Sequence, residues 1–346
     1  MNSRPEKILA IQFKYLGDAI FLTPALRALR EHCPDGEIHV LVAAEVAPLL
    51  ANLPWIKKVW ALPRTRGRAR VRDSWPVIRA LRREKFQRTV DFGGNDRGAI
   101  LSFLSGAPRR LGAVEGKGRL LKNFCYTEKF PAAELPATWI PRHLKLLSVW
   151  EVPPPKSSDL EIVADPARAA EAASLLPAGH ILCHLATSQP KKEWPVSHWL
   201  EFHRQARANG WATAFSSGNS ERERALLTQL KTLDPDILAL PPVTDLGLFL
   251  AVLKQARAVV SGDTGPLHFA AGLGVPVLGL FATGDSLRRT APLYPPEQIL
   301  AAPACACDQR RLNSPVCQEA NPCMGAIRPE QVVAALRRVL EAREAF

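Results

Sequence analysis

Short apolar runs alternate with stretches of helical periodicity along this chain of 346 residues. In the first half, the apolar runs predict four strands, at 7–13, 37–42, 56–60 and 87–91. Strands that alternate with helices are typical of parallel sheets with helices packed on their faces. The first half is therefore predicted to be an α/β domain that ends with a helix at 139–150.

A proline-rich stretch, Val152-Pro153-Pro154-Pro155-Lys156-Ser157-Ser158, interrupts this pattern. Three consecutive prolines stiffen a linker and cannot continue a helix. After it the pattern begins again, with strands predicted at 180–185, 211–216, 237–240, 258–261 and 276–281 and helices at 166–176, 197–208, 220–232, 245–256, 266–273 and 328–345. We therefore predict a first domain (1–151), a linker (152–164) and a second domain (165–346), with a ligand cleft between the two domains.

The best candidate for a ligand site is the turn Asp263-Thr264-Gly265-Pro266, which joins a buried strand to a short helix. Thr264 is a good N-cap residue, Pro266 suits the first helical turn, and Gly265 lets a ligand approach backbone N–H groups closely. A helix start of this kind prefers an anion. The same residues also fit a capped helix with nothing bound, and the turn alone leaves both alternatives open.

Two further polar stretches follow predicted strands, and they are expected at the same edge of the sheet as Asp263. The stretch 184–195 combines the hydroxyls of Thr187 and Ser188 with neighbouring lysines, and these groups suit a phosphate. The stretch 216–221 is a glycine turn that ends in Glu221, whose carboxylate can bind sugar hydroxyls. Together the three stretches indicate a nucleotide diphosphate site, with Glu221 at the ribose.

The first domain has one comparable residue, Asp18, in the segment Leu16-Gly17-Asp18 after the first strand. Open α/β sheets bind ligands at the carboxyl ends of their strands, where this residue lies. The segment contains no G-x-G-x-x-G, so the dinucleotide fingerprint is absent. Asp18 could instead cap the helix that follows.

Basic residues are concentrated in the first half of the chain. The formal net charge is +12, and residues 1–150 contain 26 Lys and Arg against 13 Asp and Glu, whereas residues 151–346 contain 19 against 20. The asymmetry indicates that the first half meets an acidic partner, which could be nucleic acid, an anionic membrane surface or a phosphorylated substrate. A solvated basic face is the alternative.

Two clusters contain much of this charge. Five arginines alternate from Arg64 to Arg72, close to Trp75, and because Gly67 interrupts them we predict a loop that can touch an acidic acceptor or a membrane. A second cluster follows among glycines and consists of Arg109, Arg110, Lys117, Arg119 and Lys122. A nucleic-acid-binding protein is disfavoured, because the arginines lack aromatic platforms and the chain contains no known nucleic-acid module.

Composition excludes several other classes. Hydrophobic residues make up 47% and charged residues 23%, as in soluble globular proteins, and no apolar run reaches the length of a membrane span. The first residues do not resemble a signal peptide, so a cytoplasmic protein is expected. The seven cysteines do not form a secreted disulfide framework.

Four of these cysteines lie close together in the sequence: Cys305, Cys307, Cys317 and Cys323. They could ligate a structural zinc ion or form a disulfide, although their spacing is not that of a standard zinc module. Reduced packing thiols are the default expectation.

Three motifs give the chain its resemblance to a known family: Leu16-Gly17-Asp18 followed by Thr23-Pro24-Ala25-Leu26, then Lys192-x-Trp194-Pro195, then Asp263-Thr264-Gly265-Pro266-x-His268. In their order and spacing, the chain resembles glycosyltransferase family 9, the heptosyltransferases of lipopolysaccharide core assembly, over nearly its whole length. The resemblance implies the GT-B architecture, an α/β fold in which two Rossmann-like domains face each other across a cleft. The N-terminal domain would bind the acceptor and the C-terminal domain the nucleotide sugar.

The resemblance also implies a reaction. A heptose would move from ADP-L-glycero-β-D-manno-heptose to the acceptor, with inversion at the anomeric carbon and without a catalytic metal or other cofactor. Asp18 would be the general base, and Lys192 would neutralise the leaving diphosphate. The other donor contacts implied are Thr187 and Ser188 at the phosphates, Glu221 at the ribose, Asp263 at the heptose, and Thr264, Gly265 and His268 along the diphosphate.

The implied acceptor is the inner core on lipid A, whose acidic Kdo sugars and phosphates would explain the basic first half. The basic contacts expected for it are Arg64, Arg66, Arg109, Arg110, Lys117, Arg119 and Lys122. We therefore expect a monomer that acts peripherally on the inner face of the inner membrane and binds no nucleic acid. The main alternative is a relative that uses another nucleotide sugar. A catalytically silent relative is disfavoured, because Asp18, Lys192 and Asp263 are all present.

Overall fold

The computed structural model describes residues 5–13, 16–63, 71–115, 120–305, 316–317 and 323–344, and for a few residues inside these ranges, Asp18 among them, it describes the backbone alone. The contacts within the chain form two compact units, Met1–Val163 and Ala164–Phe346. Each unit is built around one six-stranded sheet in which all neighbouring strands are parallel.

The sheet of the first unit has the strand order β3-β2-β1-β4-β5-β6. Its strands are β1 (Lys7–Gln12), β2 (Glu37–Ala43), β3 (Lys58–Leu62), β4 (Arg88–Asp91), β5 (Arg109–Val114) and β6 (Glu128–Pro131). Its helices are α1 (Leu16–Ile20), α2 (Thr23–His32), α3 (Val71–Glu84), α4 (Asp96–Leu104), α5 (Leu120–Cys125) and α6 (Trp139–Leu147), which the 3-10 turn Ser148–Trp150 extends.

Strands β1 and β2 form the buried centre of this sheet. Residues 8–11 are fully buried and pair in register with residues 38–41. Because helices cover both faces, β1 is a continuous apolar run rather than an alternating one. The chain winds outward from β1 to β3 in one direction and from β4 to β6 in the other. The reversal lies between β1 and β4, and open α/β sheets bind their ligands at the carboxyl ends of strands at such a point.

The sheet of the second unit has the strand order β12-β11-β10-β7-β8-β9. Its strands are β7 (Ile181–His184), β8 (Thr213–Ser216), β9 (Leu238–Ala239), β10 (Ala258–Gly262), β11 (Val277–Phe281) and β12 (Ile299–Ala301). Its helices are α7 (Ala169–Leu175), α8 (Val196–Ala208), α9 (Glu221–Leu233), α10 (Leu246–Gln255), α11 (Gly265–Gly272), α12 (Asp285–Arg289) and α13 (Pro329–Glu344).

The second sheet reverses its winding between β7 and β10, which are direct neighbours with Val260 opposite Cys183. Three large aromatic side chains, those of Trp199, Phe202 and Phe215, are fully buried in the core on the α8 side of this sheet. The polar stretches that follow β7, β8 and β10 therefore lie at one carboxyl edge, as the sequence predicts.

The α/β class is confirmed, and each strand predicted from the sequence has a counterpart in the structure. Three strands are absent from the prediction: β5, β6 and β12. The loop predicted at 64–72 is wrong for its last two residues, because α3 begins at Val71, while residues 64–70 lie outside the described part of the chain. No helix within the described ranges combines the length and the apolar composition needed to cross a bilayer.

Candidate functional site

Lys192 and Asp263 form an ion pair at the reversal of the second sheet. The Lys192 Nζ to Asp263 Oδ2 distance is 2.8 Å, and the two side chains are 19% and 7% exposed. Asp263 directly follows β10, and Lys192 ends the 3-10 turn Pro190–Lys192 after β7. Because β7 and β10 are adjacent parallel strands, residues 71 positions apart in sequence meet at one edge.

The loop that contains Lys192 packs unusually close to the end of β10, at Gly262. A Cβ atom added to Gly262 would lie 2.8 Å from Thr187 Cγ2 and 3.2 Å from the Lys192 carbonyl oxygen. Real Cβ atoms do not approach other atoms to 2.8 Å, so a side chain here would displace the loop. Glycine at this position therefore allows Lys192 to reach Asp263.

Trp194 anchors the same loop from the other side. Its indole Nε1–H donates to the Ile327 carbonyl at 2.8 Å, and its ring packs edge-on against Trp199 with the centroids 4.8 Å apart. Trp194 is buried, whereas Lys192, two residues earlier, reaches out to the sheet edge. The spacing in Lys192-x-Trp194-Pro195 thus combines a fixed anchor with a positioned cation, and α8 begins directly after Pro195.

A second contact to Asp263 comes from His268 on α11. Its Nε2 lies 3.4 Å from Asp263 Oδ1, and its Nδ1 contacts the hydroxyl of Tyr294. In a neutral imidazole, a tyrosine hydroxyl that donates to Nδ1 leaves the ring proton on Nε2, facing the carboxylate. Tyr294, His268, Asp263 and Lys192 thus form one buried chain of polar contacts.

This environment keeps Asp263 ionised. Burial by itself would raise the pKa of the carboxyl, but the interaction with His268 and the charge and hydrogen bond of Lys192 outweigh it and hold the pKa well below its usual range. A carboxylate with so low a pKa is a poor proton acceptor. Asp263 is therefore suited to hold Lys192 and a ligand in place rather than to act as a general base.

Thr187 and Ser188 follow β7 at this edge. Thr187 is buried, its N–H donates to Glu193 Oε1 at 3.2 Å, and its hydroxyl donates to the Gln189 carbonyl at 2.7 Å. Ser188 is exposed beside it. These contacts occupy the hydroxyl proton of Thr187, so Thr187 stabilises the loop. The exposed hydroxyl of Ser188 can donate to a ligand.

Arg222 connects this loop to α9. Its guanidinium pairs with Glu193 and donates to the Thr187 carbonyl at 2.7 Å. The contact brings the start of α9, where Glu221 is the exposed first residue, to the same sheet edge as Thr187. Sequence reasoning missed this pair, because Arg222 lies outside the motifs, Glu193 is only the unspecified position of Lys192-x-Trp194-Pro195, and their contact spans 29 positions.

The start of α9 is capped without Glu221. Ser220 and Glu223 form a capping box, and a Cβ at Gly218 would lie 2.4 Å from Glu223 Oε2. The Glu223 carboxylate is therefore occupied in capping α9. A cavity of about 350 Å³ lies alongside, between α9 and the segment after β9, and its lining includes Ser217, Leu240 and Pro241.

Thr264 occupies the N-cap position of α11, but its side chain makes no capping hydrogen bond to the helix. The prediction of Thr264 as the N-cap residue is therefore confirmed by its position, although its side chain does not supply the cap. Pro266 lies in the first turn as predicted, and Gly265 packs against Phe269, whose ring would be 3.0 Å from an added Cβ. An uncapped helix start next to Lys192 favours an anionic ligand.

In the first unit, Asp18 lies within α1, directly after β1, and its side chain is outside the described part of the structure. The neighbouring carboxyl end of β4 is well defined. Asp91 there is buried and accepts hydrogen bonds from the Gly93 N–H at 2.9 Å and the Tyr126 hydroxyl at 2.6 Å. Burial raises the pKa of Asp91 to about 6, although these hydrogen bonds oppose the shift. The turn after β4 is thus fixed beside the segment that contains Asp18.

The predicted acceptor contacts do not all come together. Lys122 is buried and donates to the Gly94 carbonyl, so it lies at the carboxyl edge near the reversal of the first sheet. Arg109 and Arg110 begin β5, at the opposite edge, where they contact Glu128 and the Cys125 carbonyl, respectively. The remaining predicted contacts lie outside the described residues: Arg64, Arg66, Lys117 and Arg119.

Arg97 is a basic residue at the carboxyl edge that the sequence analysis missed. It lies in the first turn of α4, stacks over the ring of Phe13 at 4.6 Å, and donates to the Pro63 carbonyl at 3.0 Å. Phe13 leads into the segment with Asp18, and Pro63 leads into the arginine run. Arg97 was overlooked because it stands alone among apolar and acidic residues rather than in a cluster.

The cysteines form no disulfide among the residues that the structure describes. Cys317 and Cys323 are free thiols, Cys305 is buried, and Cys307 lies outside the described ranges. Burial raises the pKa of the Cys323 thiol. Over the same described residues, no three His, Cys, Asp or Glu side chains are arranged to hold a metal ion.

Most of the chain is similar in sequence to known proteins. The model of glycosyltransferase family 9 (heptosyltransferase) matches residues 74–315. Lipopolysaccharide heptosyltransferase 2 of Escherichia coli (strain K12) is 23% identical over 290 residues, which cover 80% of this chain and 82% of that protein.

Two solved structures from E. coli resemble the fold. The structure of ADP-heptose lps heptosyltransferase II has a TM-score of 0.76 and 17% identity, with 98% of this chain and 99% of that chain covered. Heptosyltransferase WaaC with ADP-2-deoxy-2-fluoro heptose has a TM-score of 0.69 and 18% identity, with coverage of 96% and 99%. These likenesses confirm the GT-B class of fold with two Rossmann-like units.

Proposed function

The chain belongs to glycosyltransferase family 9, and on that premise we propose that it transfers a heptose from ADP-L-glycero-β-D-manno-heptose to the inner core of lipopolysaccharide. The observation that carries the proposal is the Lys192–Asp263 pair beside the start of α11. It places a positioned cation and a helix N-terminus together, as a leaving diphosphate requires. The relatives named lipopolysaccharide heptosyltransferase and the relative with a bound ADP-heptose analogue support this choice of donor and acceptor.

The donor contacts follow the carboxyl edge of the second sheet. Lys192, Ser188 and the backbone N–H of Gly265 bind the diphosphate, Thr187 holds the loop that presents Ser188 to it, and Glu221 binds the ribose. The cavity beyond Glu221, with Ser217 at one end and an apolar wall of Leu240 and Pro241, takes the adenine. Asp263 accepts hydrogen bonds from heptose hydroxyls. Thr264 and His268 complete the wall of the site.

The reaction is a single displacement at the anomeric carbon. The acceptor hydroxyl oxygen forms a bond to that carbon as the bond to the diphosphate oxygen breaks, so the configuration inverts. Asp18 accepts the hydroxyl proton, and the electron pair of the broken bond leaves with ADP, whose new charge Lys192 and the start of α11 stabilise. The protein supplies both functions from its own side chains, and the proposal includes neither a catalytic metal nor a cofactor.

The acceptor is the acidic, Kdo- and phosphate-bearing lipid A core at the inner face of the inner membrane. Arg97 lies half-buried at the carboxyl edge of the first sheet, so it is the described residue best placed to bind it, while the buried Lys122 holds the Gly94 carbonyl at that edge and remains a predicted contact. Arg64, Arg66, Lys117 and Arg119 add charge from neighbouring segments. Arg109 and Arg110, at the other edge, remain predicted contacts. The enzyme acts as a monomer and does not bind nucleic acid.

Nucleotide selectivity tests the proposal first. The purified protein is titrated with ADP, UDP, GDP and CMP, and its Tm is followed. Stabilisation by ADP alone is expected, since adenine and diphosphate together fill the site. Release of ADP from ADP-heptose should then require a Kdo-bearing acceptor. Stabilisation by another nucleotide with ADP inert would contradict the donor and favour a family relative with a different sugar.

A further inference from the structure

Helix α4 is apolar on two sides. Ala99 and Leu101 are buried, Ala99 in a cluster with Cys125 and Tyr126, but Ile100 and Phe103 are 39% and 40% exposed. A surface helix normally has polar residues on its outer face. The outer face of α4 is therefore suited to contact something other than water.

Helix α5 continues this apolar surface. Leu121 and Phe124, spaced three positions apart, are 46% and 70% exposed. The rings of Phe103 and Phe124 pack together with their centroids 5.3 Å apart, so the two helices share one patch. We call Ile100, Phe103, Leu121 and Phe124 the outer apolar patch. Trp75 on the neighbouring helix α3 is a further exposed aromatic residue, at 54%.

Basic side chains border the outer apolar patch. The Arg110 guanidinium carbon lies 5.5 Å from the centre of the Phe103 ring, and Arg82 approaches Gly106 at the end of α4. Arg79, Arg82 and Arg83 on α3 are all exposed. The patch also belongs to the half of the chain in which basic residues outnumber acidic ones 26 to 13.

We propose that the outer apolar patch inserts into the interfacial layer of an anionic lipid bilayer, with Arg82 and Arg110 facing lipid phosphates. Apolar side chains ringed by basic ones are the combination that binds such surfaces. This inference rests on the proposed function, because it supplies the means by which the enzyme meets a lipid-anchored acceptor. It also gives Arg110, which the sequence analysis assigned to the acceptor, a contact with lipid headgroups.

The size of the patch favours a bilayer over a second copy of the chain. Four side chains, each between a third and three quarters exposed, present at most roughly a few hundred Å² of apolar surface. A stable protein interface buries about 800 Å² per partner. Shallow insertion needs no such area, because charge attraction to the headgroups adds to the apolar contribution.

Cosedimentation with vesicles tests this inference. Wild-type protein should bind phosphatidylcholine vesicles that contain about 30 mol % phosphatidylglycerol, and bind phosphatidylcholine alone far more weakly. The Phe103→Ser/Phe124→Ser double variant should lose about tenfold or more in apparent affinity. The matched control is Leu233→Ser, which removes a 51% exposed side chain from α9 of the second unit and should bind as wild type does.

Two further readouts make the result decisive. Phe124→Ser alone, at the most exposed position, should weaken binding while the Tm in the absence of vesicles stays within a few degrees of wild type. Heptose transfer by the double variant should fall with an acceptor embedded in vesicles but not with the same acceptor stripped of its acyl chains. Both readouts are compared with Leu233→Ser.

Unchanged vesicle binding by the double variant would overturn the inference. So would light scattering that finds a wild-type dimer and a monomeric double variant, because the patch would then join two copies. Vesicle binding needs no turnover, so its outcome is independent of the proposed reaction. If the protein bound vesicles through the patch but transferred no heptose, the proposed function would fail and the docking surface would stand.

Discussion

Tyr294 holds the imidazole of His268 from the side opposite Asp263: its hydroxyl contacts Nδ1, and the two rings stack with their centroids 5.9 Å apart. Burial and the nearby Asp263 raise the pKa of Tyr294 well above its ordinary value, so the hydroxyl keeps its proton. We therefore expect Tyr294 to act on the proposed donor site through His268, with effects visible in donor binding and turnover.

Tyr294→Phe should keep the stacked ring but remove the hydroxyl that contacts His268 Nδ1. We expect kcat/KM for the nucleotide sugar to fall about fivefold to tenfold, from the loss of one hydrogen bond of roughly 1 kcal/mol. The matched control is Tyr126→Phe, which removes the buried hydroxyl that donates to Asp91 in the first unit. Equal loss of ADP affinity in both variants would contradict a specific role for Tyr294.

Lys192→Ala should weaken ADP binding and turnover together, because it removes the cation and leaves the Asp263 carboxylate facing the diphosphate. A hydrogen bond between charged groups contributes about 1.5–3 kcal/mol, so affinity should fall roughly tenfold to a hundredfold. Calorimetric titration with ADP measures the change. Lys191→Ala, at the adjacent lysine, is the control, and full activity in Lys192→Ala would rule out the leaving-group role.

Asp18→Ala should abolish transfer and leave ADP binding close to that of wild type, since Asp18 and the proposed nucleotide contacts belong to different units. General base catalysis contributes about 10²- to 10⁴-fold to the rate, so kcat should fall by at least the lower figure. Single-turnover transfer and ADP titration are measured on the same preparation. Loss of ADP affinity in Asp18→Ala would count against the assignment.

Gly262→Ala should impair the donor site more than it impairs folding. The new methyl group would lie 2.8 Å from Thr187 Cγ2, so the loop with Lys192 must move away from Asp263. Overpacking of this kind costs about 1–3 kcal/mol, and we expect a loss of at least tenfold in ADP affinity. Gly325→Ala is the control, because its Cβ would be 3.9 Å from the Pro195 ring. Normal ADP binding in Gly262→Ala would show that the close approach is unimportant.

Asp91→Asn should remove a pH dependence of stability between about pH 4 and 6. Burial raises the pKa of Asp91 from 3.8 to about 6, so near pH 5 the folded protein holds a proton that the unfolded chain has lost. Stability from this group therefore falls as the pH rises through the window, by roughly 3 kcal/mol for a pKa raised by about two. Denaturant unfolding of wild type and variant from pH 4 to 7 measures the difference.

Asp263 does not interfere with this measurement. Its pKa is depressed, so the stability that it contributes is present above its ordinary pKa of 3.8 and is lost only as the pH falls below that value. A difference between wild type and Asp91→Asn that stayed constant from pH 4 to 7 would show that Asp91 ionises in its ordinary range.

Much of the fold was predictable, because most strands are buried on both faces and therefore appear as continuous apolar runs. β5 was not, since it begins with Arg109 and Arg110 and packs Gly112 against the Tyr126 ring, so its sequence looks like a flexible basic segment. β12 has only three residues and no alternation to detect.

The site was predictable where one short motif contains several of its residues, as in Asp263 to His268. It was not where the contact depends on distant parts of the chain. Tyr294 reaches His268 across 26 positions, and Arg222 reaches Thr187 across 35. Nothing in the local sequence distinguishes these two residues from ordinary core or surface positions.

The anchor of Trp194 on the Ile327 carbonyl has a consequence for the order in which the protein matures. During synthesis, every proposed donor contact from Thr187 to His268 leaves the ribosome before Ile327 is made. A nascent chain that ends between His268 and Ile327 thus has the residues of the site but not the bond that fixes the lysine loop. The proposed donor site is therefore completed late, when the segment that leads into α13 packs against Trp194.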